Sequence, residues 1–419
     1  MSAPSTPLSV VVVIARYPPH HVGGYELRCR DVCRELARRG HDVTVLTSRE
    51  GARGVEDDQG VRVVRTLGLW PEGVRGYGGV LAFALASARD CRKLRRELRR
   101  RKASALAFWH QSGLTSALLA VRPPSGCGVV CDVSSDWLLD AAGSGGNWFR
   151  IWERRSPTWW KAAGKSAIRA VAAVRGAPTR RPPFPPGHAY FTSVETKRRY
   201  VEAGVDVADA SVVRSGIDLE RFAFQAERPA DRRTLLFLGR IKRSKGLHTA
   251  VLALGYLPDD VVLRVAGPIE DRSYLGEVAE LARASKVMDR VRIGEPVEHA
   301  LVPSLLHDSH ALVFTSEQPE AFSRLVLEAF ACGTPVVGTT LGGTGEVLIE
   351  GETGLTYPPG NARALADQLR RLLGDDELRA RLVARARELV TTRYSLGFLV
   401  DQIESLLRAA HAKASAPAA

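Results

Sequence analysis

The stretch that most restricts what this chain can fold into lies late in it, between Ala311 and Gly338: ALVFTSEQPEAFSRLVLEAFACGTPVVG. It opens and closes on short apolar runs of the length and composition of buried strands. Between them, Ser323 to Cys332 reads as a helix, with Gly333 as its stop and Pro335 unable to continue it. Strand, acidic loop, helix and strand make one βαβ unit. Open sheets built from such units bind ligands at the carboxyl ends of their strands. Glu320 and Glu328 stand eight residues apart, which is about 2.2 helical turns, so the pair cannot share one helical face. Glu320 therefore falls in the loop where the helix starts, and Glu328 about two turns inside it.

The same alternation runs through the first half. Val10 to Ala15 is a continuous β-branched run, as in a buried parallel strand. It leads into the loop RYPPHHVGGYE and a helix from Tyr25 to Arg39, stopped by Gly40. HDVTVLT, VRVVRT, Ala105 to Phe108 and Gly128 to Cys131 are further strands, and LLFLG, VVLRVAG and VRIG begin a second series. Strands alternating with helices predict an α/β protein with doubly wound parallel sheets. Its 419 residues are enough for two domains, each with its own core. The expected division is an N-terminal domain over 1–220, a second over 221–395, a helix over 396–410 and a disordered tail over 411–419, with QAERPADRR as the linker.

The string EAFSRLVLEAFACGTPVV, followed by GETGLTYPPG, resembles the E-x7-E signature of the retaining glycosyltransferases of family 4 (glycosyl transferases group 1). A lone pair of glutamates at this spacing is weak; the whole string in order is specific. The resemblance implies the GT-B fold, two Rossmann-like domains facing each other across a cleft, with the final helix crossing back to the first. It implies a nucleotide-sugar donor, a hydroxyl acceptor, no cofactor and no metal. Glu320 would then contact the transferred sugar, and Glu328 the ribose hydroxyls. Phe322, Ser323, Arg324 and Leu325 would form the nucleotide-binding start of the helix.

Other site residues follow from place as well as resemblance. GRIKRSKG carries Arg240 and Lys245 on the loop after a strand and lacks the Walker order. A guanidinium fork and an ammonium suit a diphosphate, the role the family gives this segment. Gly23 and Gly24 precede a helix N-terminus, where backbone can approach an anion, and they match the family's glycine loop. His110 follows a strand and belongs at the carboxyl edge of the sheet. Where relatives carry another histidine the chain reads Val130-Cys131-Asp132, which casts Asp132 or His110 as the replacement donor-sugar contact. Across the domain junction, Ser215 stands where the family has Asn. Gly294-Glu295-Pro296-Val297 matches a loop that meets the base.

Several classes are set aside. Glycosidases need two carboxyls about 5–9.5 Å apart, whereas eight residues span about 12 Å of helix. The six cysteines form no C-x-x-C pair, and Cys29 and Cys33 share an apolar helix face, so reduced buried thiols are expected. No apolar run reaches the length of a membrane span, and MSAPSTPLSVVVVIA lacks a basic start, so the expected location is cytoplasmic.

The net charge of +13 has two readings, an anionic partner or an arginine-rich composition with solvated faces. In 148–181, Trp148, Trp152, Trp159 and Trp160 alternate with arginines and lysines and a single acid, Glu153. Either this segment lies on an anionic membrane surface, or its tryptophans pack on the core while the charges face water. The first reading adds a peripheral place at the inner face of the membrane and a lipid-linked acceptor. No nucleic-acid module accompanies it. A nucleotide-sugar-binding protein without transfer activity and a natural-product tailoring enzyme are the alternative functions.

Overall fold

The computed structural model describes residues 6–21, 23–51, 54–70, 76–137, 139, 148–153, 156–182, 185, 187–225 and 233–416. The chain divides into two compact units, Met1–Val213 with Leu399–Ala419, and Arg214–Phe398.

In the first unit the order is β1 (Ser9–Val13), α1 (Gly24–Arg38), β2 (Asp42–Ser48), β3 (Gly54–Asp58), β4 (Val61–Leu67), α2 (Gly76–Arg100), β5 (Ala105–Phe108), β6 (Gly128–Val133), α3 (Trp148–Glu153), α4 (Trp159–Val174), β7 (His188–Phe191), α5 (Val194–Glu202) and β8 (Ser211–Val212). They form one sheet, β3-β4-β2-β1-β5-β6-β7-β8, parallel except for the hairpin β3–β4. That hairpin was not expected: Gly54–Asp58 is a largely exposed, acidic edge strand with no apolar alternation.

Side chains alternate across the inner strands. Val11, Val13, Leu106, Phe108, Cys131 and Val133 enter a core with Phe83, Leu94, Trp148 and Trp152. On the other face Val10, Val12, Val130, Asp132 and Tyr190 meet Val32, Cys33 and Leu36 of α1, together with Ile403 and Leu407. Both faces are covered, which is why the strands read as unbroken apolar runs. All six cysteines are free and buried.

The second unit contains β9 (Thr234–Leu238), α6 (Leu247–Leu254), β10 (Val262–Ala266), α7 (Arg272–Ala284), β11 (Val291–Ile293), α8 (Val302–His307), β12 (Ala311–Phe314), α9 (Arg324–Cys332), β13 (Val336–Gly338), β14 (Leu355–Thr356), α10 (Ala362–Gly374) and α11 (Asp376–Arg393). The sheet order is β11-β10-β9-β12-β13-β14, with parallel neighbours throughout. Leu235, Phe237, Ala311 and Val313 pack to one side, while Leu236, Leu312, Phe314 and Val336 pack to the other.

The units depart from the expected boundaries for packing reasons. Ile217 and Phe222 belong to the second unit's core, so the first stretch ends at Val213 and not at 220. The final helix α12 runs Leu396–Ser415, so residues 411–415 are helical and not tail. Arg39 reaches Asp401 at 2.6 Å and Glu404 at 3.2 Å, and His411 Nδ1 lies 2.6 Å from the Gly126 carbonyl. The first two tie down its middle, and the last holds it beyond 410. Most of the expected linker, 226–232, lies outside the described residues, as do 417–419.

Among the described residues of the first unit, Arg28 of α1 and Asp132 of β6 form an ion pair buried on both sides. The Arg28 guanidinium sits 5.0 Å from the centroid of the Trp109 ring. Burial alone would lower the Arg28 pKa; Asp132 outweighs it and raises it. Removing one partner strands the other charge, at a cost of about 3–5 kcal/mol, whereas an apolar pair of similar volume is often neutral. Asp132→Ala is therefore expected to lower the unfolding free energy by about 3–5 kcal/mol in a denaturant titration, and Arg28→Met/Asp132→Leu by much less. Equal losses in the two variants would contradict this reading.

Candidate functional site

In the second unit three loops converge at the carboxyl edge of the sheet. The first follows β9 and carries Arg240 and Lys245. The second follows β12 and carries Glu317 and Glu320, and the third follows β13. The first two are bonded backbone to side chain and backbone to backbone. The Thr315 hydroxyl donates to the Lys245 carbonyl at 2.7 Å, and the Glu317 amide to the Ser244 carbonyl at 2.9 Å.

Gly246 sits at φ +65°, and a Cβ there would stand 2.1 Å from the Thr315 carbonyl oxygen, so only glycine permits the approach. Gly342 plays the same part for the third loop. Its φ is +68°, and a Cβ would lie 2.3 Å from the Glu320 carbonyl oxygen. That oxygen accepts from the Gly343 amide at 2.8 Å. Glu320 is thereby held by its backbone.

Its carboxylate is held as well. Lys245 Nζ pairs with Glu320 Oε1, and the Ser316 hydroxyl donates to the same oxygen at 2.8 Å. The two side chains are 21% and 23% exposed, open enough to receive a ligand. A second carboxylate, Glu317, ties the loop to α6. It accepts from the Thr249 hydroxyl at 2.9 Å and lies 3.1 Å from His248 Nε2. His248 Nδ1 is 2.7 Å from the Tyr274 hydroxyl, whose pKa burial pushes up to about 12.

The other expected residues divide. Arg240 does not join Lys245; its guanidinium pairs with Glu270 at 2.9 Å, and Lys242 approaches the same carboxylate at 3.4 Å. Burial alone would raise the Glu270 pKa, and the two cations reverse this and lower it. Ser323 caps α9 with an extended backbone, and its hydroxyl makes no capping bond. Phe322 and Leu325 are half-buried, and Arg324 is buried on the first turn. Arg324 Nε stands 3.8 Å from Glu328 Oε1. Glu328, 5% exposed, has that oxygen 3.0 Å from His299 Nε2. His299 lies just beyond the loop Gly294–Val297.

In the first unit His110 stands two residues past β5, at the carboxyl edge as expected. Its ring stacks on Tyr25, with centroids 5.2 Å apart, and Nδ1 lies 3.2 Å from the Ser135 hydroxyl. Burial lowers its pKa to about 4, against the pull of Asp132, so the imidazole is neutral near pH 7.

Two expectations fail here. Asp132 is no sugar ligand: β6 continues to Val133, two residues past the expected end, and leaves Asp132 1% exposed on Arg28. Cys131 points into the core on the opposite face, so its identity says nothing about a lost contact. Ser134 and Ser135 occupy the edge instead. The Gly23 amide is also occupied, donating to Glu26 Oε2 of its own helix at 3.0 Å. Burial raises the pKa of that carboxyl.

Sequence reasoning did not find His299, Glu317, His248, Ser135 or the Gly342-Gly343 pair. The adjacent glycines after PVVG were the one readable signal.

The tryptophan-rich segment splits. Trp148 and Trp152 are buried, whereas α4 buries only Ala172. Trp159 is 82% exposed and Trp160 53%. The Tyr77 hydroxyl of the neighbouring α2 donates to the Lys161 carbonyl at 3.2 Å, and Tyr77, Leu81 and Leu85 are exposed along α2. Among the described residues no helix is long and apolar enough to cross a membrane, and no cluster of three or more His, Cys, Asp or Glu is placed to hold a metal.

Comparison with known proteins agrees with this architecture. The model of Glycosyltransferase Family 4 matches residues 22–174, and that of Glycosyl transferases group 1 matches 218–389. A glycogen synthase of Mycobacterium tuberculosis is 27% identical, covering 92% of this chain and 91% of its own. Among solved structures, sucrose-phosphate synthase from Thermosynechococcus elongatus superposes with TM-score 0.71 at 21% identity, covering 97% of this chain and 100% of that one. HepE of Anabaena in complex with UDP-glucose gives 0.66 at 17%, covering 96% and 100%. The chain belongs to the family 4 glycosyltransferases and has their GT-B fold.

Proposed function

We propose that this transferase moves a sugar from a nucleoside-diphosphate donor to a hydroxyl acceptor, with retention of configuration and without a metal ion. The observation that carries this reading is the Lys245–Glu320 pair, held by Ser316 and by two backbone-locked loops.

Transfer breaks the bond between the anomeric carbon and the β-phosphate oxygen, and negative charge grows on the departing diphosphate. Lys245 supplies a fixed positive charge to it. Arg240 adds a guanidinium when it exchanges Glu270 for phosphate. The Ser323 end of α9 offers backbone N–H groups and the positive end of a helix dipole. A preorganised donor of this kind is worth about 2.7–4 kcal/mol in the transition state. Glu320, released from Lys245 by the phosphate, accepts from hydroxyls of the transferred sugar, and Glu328 accepts from the ribose while His299 orients it. Carboxylates suit both tasks because they are pure acceptors. The UDP-glucose held by HepE supports a nucleotide sugar as the donor class.

The acceptor reading rests on α4. A sixteen-residue helix that buries one alanine and exposes two tryptophans beside Lys161, Lys165 and Arg169 suits the interface of an anionic bilayer. The proposed acceptor is accordingly lipid-linked, at the inner face of the cell membrane, in cell-surface polysaccharide or glycoconjugate synthesis.

Glu320→Ala and Lys245→Ala are each expected to lower nucleotide release at least about a hundredfold with unchanged melting temperature. Near-normal turnover in either would remove that residue from the mechanism. Trp159→Ser/Trp160→Ser is expected to abolish co-sedimentation with phosphatidylglycerol vesicles while donor hydrolysis persists. Undiminished binding by this variant would refute the membrane surface.

A further inference from the structure

Away from the carboxyl edge, the first unit contains a cavity of about 460 Å³. Its walls come from the last turns of α2, the segment before β6 and the residues after α4. Those are the segments that lead into β5, β6 and β7, so the cavity lies at the amino edge of the sheet. His110 and Ser135 stand at the opposite edge. The volume is within the range of small-molecule sites.

Three arginines line this space: Arg95 and Arg99, one turn apart on α2, and Arg122. None of its lining residues is acidic. Elsewhere in the unit, the buried and half-buried Arg28, Arg34, Arg39 and Arg65 have carboxylate partners. Among the described residues no carboxylate pairs with Arg95, Arg99 or Arg122. Arg95 is partly committed, donating to the Gly176 carbonyl at 2.5 Å beyond the end of α4. Arg99 and Arg122 are exposed and have no such tie.

Two helix carboxyl ends, those of α2 and α4, lie beside the cavity, and their dipoles alone would repel an anion. Three full positive charges exceed that effect. The remaining wall is apolar, from Leu98, Pro123 and Pro178.

We propose that this cavity binds a phosphate ester. Guanidinium forks match phosphate oxygens two at a time, more strongly than they match single neutral acceptors. Three of them suit a group with three terminal oxygens. The prolines and Leu98 then cover the carbon body of the ester, for which a phosphate ion alone leaves the space empty. The ligand is either a soluble phosphate monoester or the headgroup of phosphatidic acid, itself a monoester; both present the same group.

The test is calorimetric titration of the full chain with glycerol 3-phosphate, alongside flotation with phosphatidylcholine vesicles with and without phosphatidic acid. The flotation is done in the Trp159→Ser/Trp160→Ser background that removes vesicle binding through α4. Wild type and Arg99→Ser/Arg122→Ser are compared, with Lys245→Ala as a control for the donor site. The exposed arginines make a folding defect avoidable, and a thermal melt verifies this. Should the double variant melt early, Arg122→Lys, which keeps the charge and loses the fork, replaces it.

The expected result is binding that weakens at least tenfold in the arginine variant and is unchanged in Lys245→Ala. Binding of glycerol 3-phosphate identifies a soluble ligand, and binding confined to phosphatidic acid vesicles identifies a lipid. Absence of binding to either probe, or binding that the arginine variant retains, or binding that Lys245→Ala abolishes, overturns the proposal.

Discussion

The second unit depends on the contact of three loops around Glu320. Its closest points are backbone on backbone, at Gly246 against Thr315 and at Gly342 against Glu320. A side chain at either glycine would push one loop off the others and take the Lys245–Glu320 pair apart. The pair is partly exposed, where an isolated ion pair contributes little to stability. In the proposed mechanism its value lies in geometry: the lysine and the carboxylate are already placed before any donor arrives, so little ordering remains to oppose binding and reaction.

The same logic separates structural from chemical charges across the chain. Arg28 and Asp132 are buried together between α1 and β6 and hold those elements in register. Glu26 closes the start of α1 by taking the Gly23 amide. Both carboxyls sit near segments that resemblance would give to a ligand, yet each is satisfied internally. By contrast Lys245, Glu320 and Arg240 have partners that an anionic donor can displace at the surface, because each remains about a fifth to a third exposed.

Much of this was legible. The unbroken Val10–Val13 run, the Gly333 stop and the strand after it read directly, because buried parallel strands and helix ends leave local signatures. Glu320 and Glu328 were singled out by one ordered string and Lys245 by GRIKRSKG; neither the Lys245–Glu320 pairing nor the diversion of Arg240 to Glu270 was legible, since those partners lie 30 to 75 residues apart. Asp132 was misplaced by a two-residue error in a strand end, enough to turn a core ion pair into an apparent site residue. His299 and Glu317 carry no local signal at all. The tryptophan segment left two readings open, and the core-packing one holds for two of its four tryptophans. Trp148 and Trp152 pack on the core, while Trp159 and Trp160 face outward, a division that composition does not encode.

The central claim is that charge development on the departing diphosphate is met by Lys245 and its neighbours and needs no metal. It is tested most directly by proton NMR of UDP-, GDP-, ADP- and TDP-glucose incubated with the enzyme in EDTA, following loss of donor and the configuration of the released or transferred sugar. The account predicts that one donor turns over in EDTA, and that its sugar emerges with the anomeric configuration it entered with. Turnover that appears only when magnesium or manganese is restored, or a product of inverted configuration, would contradict it.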